Sequence, residues 1–451
     1  MVNPATDTIA AIATPPGQGG VGIVRISGPD TPAISRELLG CLPRPRVAEM
    51  HGFREADDTL IDAGLVLYFE APASFTGEHV LELHGHGGPV VMDLLLQRVL
   101  SLGARPARPG EFSERAYLHN KLDLAQAEAI ADLIESGTAQ AARAAVRSLQ
   151  GDFSRQVTAL IEALTSARMY VEAAIDFPEE EIDFLTDDSL QQMLAELRTD
   201  FAEILTRAQQ GQLLRDGMTL VIAGRPNAGK SSLLNALSGN EAAIVTAIPG
   251  TTRDALREYI QLDGLPLHII DTAGLHASED PVEQAGMQRT RQALAQADRV
   301  LLVIDDQSGI TAADADILDE LPVDVPHTRV FNKVDLTGRV PGLCSNTEFE
   351  AVALSAHTGA GLDELRQHLK RCAGYSEQTE GGFSARRRHL DALQRASQHV
   401  DTGIQQLERQ RAGELLAEEL RQAQQVLGEI TGTVSSDDLL GRIFSSFCIG
   451  K

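Results

Sequence analysis

The run Gly224-Arg225-Pro226-Asn227-Ala228-Gly229-Lys230-Ser231 constrains this chain more than any other stretch. It follows an apolar segment, Met218 to Ala223, and precedes Leu233-Leu234-Asn235-Ala236-Leu237. That order reads as strand, glycine turn and helix, and the spacing is G-x-x-x-x-G-K-[ST], a phosphate-binding loop. Gly224 and Gly229 let the backbone curl until several N–H groups face one anion. The helix N-terminus adds partial positive charge. Lys230 can reach β- and γ-phosphates, and the Ser231 hydroxyl can hold Mg²⁺. Asn227, Ala228 and Ser232 complete the loop and the first turn of the helix.

Short apolar runs recur around this loop: Leu220 to Ala223, Leu267 to Ile270, Val300 to Ile304, Thr328 to Phe331 and Ala351 to Leu354. Helical stretches separate them, so residues 216–375 are expected to form a mostly parallel sheet with helices on both faces, a P-loop G domain. Asn332-Lys333-Val334-Asp335 ends one of these runs, at the sheet edge where open α/β folds bind ligands. The Asp335 carboxylate can accept hydrogen bonds from guanine N1–H and N2–H₂; adenine offers no such pair, and a buried Asp335 would then be left unpaired. Asn332 can serve the base edge and the loop, the Lys333 stem can cover the ring, and backbone N–H groups of Ser355-Ala356 can meet guanine O6. Asp271-Thr272-Ala273-Gly274 ends another run; Asp271 can hold Mg²⁺ through water and the Gly274 N–H can meet the γ-phosphate. A threonine hydroxyl of Thr251-Thr252 can complete the Mg²⁺ shell. Leu275 stands where a Ras-like GTPase has the glutamine that orients the attacking water, so catalysis must draw on another residue or on an ion.

The flanks differ in character. Residues 1–118 read as mixed α and β, with strands at Thr8 to Ala13, Val21 to Ile26, Ala63 to Phe69 and His79 to His84, and a helix from Val90 to Leu102. His84 and His86 read as a turn after a strand rather than as a metal site. Residues 119–215 and 376–451 carry helical periodicity, so the G domain is expected to be inserted into one helical bundle. The acidic cluster from Asp176 to Asp183 reads as a solvated loop. The fold class is therefore multidomain α+β and α/β. A formal net charge of -25 argues against a broad nucleic-acid-coating surface, so RNA contact must be local or through a partner. Cys41, Cys344, Cys372 and Cys448 form no C-x-x-C pair, which points to a reducing compartment and away from a cysteine-based zinc site. With neither a signal-peptide pattern nor an apolar run of membrane-spanning length, a cytoplasmic location is expected.

These elements in this order resemble the MnmE (TrmE) family of tRNA modification GTPases. The specific features are the Pro15-Pro16-Gly17-Gln18-Gly19-Gly20-Val21-Gly22-Ile23 start, the stretch Leu81 to Gly88, the stretch Asn120 to Ala129, and the end Phe447-Cys448-Ile449-Gly450-Lys451. The resemblance implies an N-terminal domain that dimerises and binds a 5-formyl- or methylene-tetrahydrofolate, with contacts at Arg25, Glu82, Lys121 and Lys451. A cation suits the glutamate tail of folate and a carboxylate suits its pterin. It also implies a flavin-dependent partner, MnmG (GidA), with which an aminomethyl or carboxymethylaminomethyl group is placed on C5 of the wobble uridine of certain tRNAs, FAD being held by the partner.

For the G domain it implies K⁺ at Asn227, Thr246, Ile248 and Thr251, Mg²⁺ at Ser231 and Thr252, and nucleotide contacts that extend through Ala247, Pro249 and Gly250. Such an ion would stand where an arginine finger does, and a finger is worth about 10³–10⁵ in rate. Glu283 matches the residue that orients water, alongside Lys230 and Asn227 in catalysis. His276 departs from the arginine of some members. Cys448 divides evenly between a thiol made reactive by Lys451 and an inert packing residue. The rival reading is a switch GTPase of ribosome assembly without modification chemistry; a basic RNA-binding end module would mark it, and the sequence carries none.

Overall fold

A computed structural model describes residues 7–176, 188–239, 257–271, 297–319, 321–322, 324–344, 350–375, 382–434 and 437–450. The chain divides into two compact units: residues 1–131, 148–199 and 392–451 in the first, residues 132–147 and 200–391 in the second. Residues 132–147, assigned from periodicity to the helical part, thus group with the parallel sheet. Among the described residues no helix is long and apolar enough to cross a membrane.

The first unit holds a six-stranded sheet of β1 (Ile9–Ile12), β2 (Gly19–Ser27), β3 (Glu49–Arg54), β4 (Leu60–Phe69), β5 (Val80–Gly87) and β6 (Arg105–Pro106), in the order β3-β4-β5-β2-β1-β6. The neighbours pair antiparallel except β1 with β6. Strand alternation decides its faces. Val24, Ile26, Leu81 and Leu83 point into a core closed by the helices Thr31–Leu39 and Pro89–Ser101, through Ile34, Leu38, Leu95 and Val99. The cross-strand pair Arg25–Glu82 therefore faces the other way. His84 and His86 lie within β5 rather than in a turn beyond it, and each takes a carboxylate partner: Glu82 at 3.3 Å and Asp62 at 2.8 Å. In the same unit the helices Asp152–Asp176 and Gly413–Thr431 pack lengthwise, burying Leu160, Leu164, Ala167 and Val171 against Leu416, Leu420, Ala423 and Leu427. That one-turn spacing is the signature of an apolar helix stripe.

The second unit holds β7 (Met218–Ala223), β8 (Arg257–Leu262), β9 (Leu265–Asp271), β10 (Arg299–Asp305), β11 (His327–Asn332), β12 (Gly342–Leu343) and β13 (Ala351–Ala353), ordered β12-β13-β11-β10-β7-β9-β8. The five inner strands are parallel, and β8 and β12 join antiparallel at the edges. Leu220, Ile222, Leu301 and Val303 pack on the helices Lys230–Ser238 and Leu362–Cys372, while Val221, Ala223, Leu302 and Ile304 pack on the helix Ala312–Asp319. Burial on both faces explains why these strands read as unbroken apolar runs.

Where the chain enters and leaves this sheet, one carboxylate gathers both ends. Buried Asp132 accepts hydrogen bonds from Arg215 Nε (2.7 Å), Arg386 Nη2 (2.7 Å) and Ser384 Oγ (2.5 Å). Gly211 and Phe383 meet there backbone to backbone: a Cβ on Gly211 would stand 1.9 Å from the Phe383 carbonyl oxygen.

Candidate nucleotide site

The parallel strands end together at one edge, and that edge carries the predicted residues. The register sets Ile222 beside Asp271 and Asp305 beside Asn332. The loop after β7 turns on Gly224 (φ 146°) and Gly229 (φ 97°) and enters the helix Lys230–Ser238. Neither position has room for a side chain: a Cβ on Gly224 would fall 2.4 Å from Val303 O, and one on Gly229 would fall 2.2 Å from Asn332 Nδ2. Asn227 also has a positive φ of 62°, a conformation that asparagine tolerates better than most residues. Its side chain is exposed, as are Ser231 and Ser232, whereas Ala228 is buried. Lys230 Nζ donates to Gly224 O (2.7 Å) and Arg225 O (3.0 Å), so the ammonium is held over the hollow of the loop. The cradle is narrow, and N–H groups of the loop and helix start are the groups an anion would meet there.

The base-side residues brace this loop. Asn332 is buried; its Nδ2 donates to Ala228 O at 3.0 Å and its Oδ1 accepts from Lys333 N (2.8 Å) and Ala356 N (3.0 Å). Lys333, at φ 68°, extends Nζ to Asn227 O and to Asp305 Oδ2, both at 2.7 Å. This bond from Lys333 is the main cause holding the Asp305 carboxyl below its ordinary pKa. Asp335 lies in a short 3₁₀ turn, Val334–Leu336, and is exposed. Exposed in this way, Asp335 incurs a penalty for an unpaired carboxylate only when a ligand covers it. The N–H groups of Ser355 and Ala356 are used within the chain, on Ala360 O (2.8 Å) and Asn332 Oδ1, so a guanine O6 would share or replace those bonds.

Sequence reasoning passed over two residues that stiffen the site. Arg225, read as a variable loop position, donates to buried Asp314 at 3.0 Å and to Ser308 at 2.7 Å. Asp305 was legible only as the polar residue closing an apolar run; its partner Lys333 is 28 positions away.

Two regions of the chain match known families: residues 8–121 match the GTP-binding protein TrmE N-terminus, and residues 124–448 match the MnmE helical domain. Over 453 residues the chain is 62% identical to the tRNA modification GTPase MnmE of Stutzerimonas stutzeri, covering 99% of this chain and 100% of that protein. The chain belongs to the MnmE family of tRNA modification GTPases. It is 60% identical to the Marinobacter nauticus MnmE, with full coverage of both chains, and 60% identical to that of Nitrosococcus oceani, covering 99% of this chain and 97% of the other.

Within the stretch matching the N-terminus of MnmE-family proteins, Arg25 Nε bonds Glu82 Oε1 at 2.9 Å on the sheet face turned away from the core. The Arg25 guanidinium also reaches Gly450 O (3.3 Å) and lies 5.7 Å from the Phe112 ring centroid and 6.0 Å from that of Phe75. Arg25 and Glu82 are half-buried, and Lys121 is exposed, its Cε close to the Gly77 turn. A half-buried carboxylate between a guanidinium and an imidazole, with an exposed lysine in the same unit, is a donor set that fits a pterin bearing a carboxylate tail. The expected contacts at Thr246, Ala247, Ile248, Pro249, Gly250, Thr251, Thr252, Thr272, Ala273, Gly274, Glu283 and Lys451 lie outside the described residues, as do Leu275, His276 and residues 177–183 of the acidic cluster. For Asp271 the described part is its backbone at the end of β9.

Proposed function

We propose that this chain binds GTP at the loop Gly224–Ser231, hydrolyses it with help from K⁺, and takes part with a flavin-dependent partner in modifying C5 of the wobble uridine of certain tRNAs, a tetrahydrofolate supplying one carbon. The observation that carries the nucleotide part is the cradle closed by Gly229 against Asn332, which joins the phosphate loop to the guanine-reading segment. The modification part rests on membership of a family named for tRNA modification.

In this reading Lys230 turns from the carbonyls of Gly224 and Arg225 to the β- and γ-phosphates and offsets the charge that builds there as water attacks γ-phosphorus and GDP leaves. Asp335 and Asn332 select guanine, and Glu283 orients the water. Ser231 and Thr252 would hold Mg²⁺, with Asp271 acting through water, and this ion would neutralise the phosphates. Asn227, Thr246, Ile248 and Thr251 would hold K⁺, which would supply the positive charge of an arginine finger. Arg25, Glu82, Lys121 and Lys451 would hold the folate, the carboxylate taking the pterin and the cations its glutamate tail. The chain works as a cytoplasmic homodimer through its N-terminal domain and joins an MnmG-type subunit that carries FAD.

Two measurements test the two halves. Exchange of K⁺ for Na⁺ is expected to lower GTP turnover by about 10-fold or more; equal rates would remove Asn227 from ion binding. Nucleoside mass spectrometry of bulk tRNA is expected to lose aminomethyl-type C5 uridines when this chain is deleted and to regain them on complementation. Unchanged nucleosides would leave the GTPase and transfer the reading to a ribosome-assembly switch.

A further inference from the structure

Opposite the nucleotide edge, three potential metal ligands meet at the other edge of the same sheet. Glu350 precedes β13, and His368 and Cys372 stand one turn apart on one face of the helix Leu362–Cys372. Their ligand atoms lie within 4.8 Å of one another, the one such group among the described residues. Cys372 Sγ is 3.5 Å from His368 Nε2, and His368 Nε2 is 3.7 Å from Glu350 Oε2. A tetrahedral ion with metal–sulfur bonds of about 2.3 Å and metal–nitrogen bonds of about 2.0–2.1 Å sets sulfur and nitrogen about 3.5 Å apart. The two edges are thus already close to those of a zinc polyhedron.

We propose that Glu350, His368 and Cys372 form a binding site for a zinc-class divalent cation, with the fourth position open to water. His368 is buried, and burial keeps its imidazole below its ordinary pKa, hence neutral and able to ligate. Thr328 Oγ1 accepts from Arg299 Nη1 (2.8 Å) and lies 2.9 Å from His368 Nε2, so an ion bound at that nitrogen would take the place of the hydroxyl, which keeps Arg299 as its partner. Cys372 has its thiol pKa raised by burial, so the ion must displace a proton to gain the thiolate. Arg299 also bonds Glu350, which places a positive charge at the site. A thiolate and a carboxylate cancel the two charges of the metal, so Arg299 then faces a neutral centre. The sulfur and imidazole ligands disfavour Mg²⁺ and Ca²⁺, which need mostly oxygen. A cavity of about 650 Å³ bordered by Arg299, Cys372, Thr219 and Asp216 gives an entry path and room for the water.

The test is titration of the full chain with Co²⁺, a spectroscopic substitute for Zn²⁺. One equivalent per chain is expected, with tetrahedral d–d bands and a thiolate charge-transfer band, both displaced by Zn²⁺, which binds the tighter of the two. Cys372→Ser removes the charge-transfer band. His368→Asn weakens binding by more than about 100-fold, since even loss of an outer-shell partner costs 10–100-fold. The triple variant Cys41→Ser, Cys344→Ala, Cys448→Ser keeps the band, and this decides the matter should Cys372→Ser fail to fold. No charge-transfer band in the parent chain, a band that survives Cys372→Ser, or one lost in a folded triple variant would overturn the proposal.

Discussion

Lys230→Ala lowers GTP turnover by at least about 10²–10³-fold, the loss that follows removal of one preorganised group aimed at developing charge. The ammonium is held by Gly224 O and Arg225 O at 2.7 and 3.0 Å, directly over the loop, so it needs little reorganisation to meet a phosphate. Alanine at the first position of the helix is a good helix former and keeps the strand–loop–helix unit intact. Turnover should therefore fall with little change in melting temperature. Phosphate release at saturating GTP measures it, and unchanged release would place the chemistry elsewhere. The same variant should fail to restore modified uridines in deleted cells.

Asp335→Asn lowers GTP affinity roughly 10²–10⁴-fold, as expected when one hydrogen bond to a charged acceptor becomes a clash between two donors and the other loses its charge. The side chain is exposed on its 3₁₀ turn and braces nothing in the loop, unlike Asn332, so the fold should be unaffected. The chemistry also predicts a rescue. Xanthine carries a carbonyl where guanine carries its amino group, and an asparagine amide offers one acceptor and one donor to match. Fluorescence titration with both nucleotides measures the pair. Equal GTP affinity in the variant and the parent would remove Asp335 from base recognition.

Much of this was legible in the sequence because the signals are local. The phosphate loop is a spacing of glycines and a lysine within eight residues, and the inner parallel strands are unbroken apolar runs. The edges were harder to see. β3 (Glu49–Arg54) and β8 (Arg257–Leu262) mix charged and apolar residues, and β12 is two residues long, so no apolar run marks them. Contacts made at a distance left no trace either: Arg225 with Asp314 and Lys333 with Asp305 belong to different βα units. Reading His84 and His86 as a turn followed from their glycine neighbours, yet Gly85 and Gly87 sit inside β5, with Gly87 opposite Gly19. Searching for C-x-x-C pairs passed over Cys372, whose partner His368 is a helical turn away rather than two residues along a knuckle.

The bond of Asp132 to both ends of the inserted segment has a consequence for how the chain assembles. Positions 211 and 383 are 172 residues apart along the chain, yet their backbones touch. The entropy lost in closing such a loop grows only with the logarithm of its length, so a long insertion costs little more than a short one. Once the segment between them has built its own sheet and core, positions 211 and 383 become near neighbours in an effectively shortened chain. Contacts such as Ser384 with Asp132, 252 positions apart, then need no long-range search. It follows that a turn of a few residues joining these two ends could replace the whole insertion without stretching the chain.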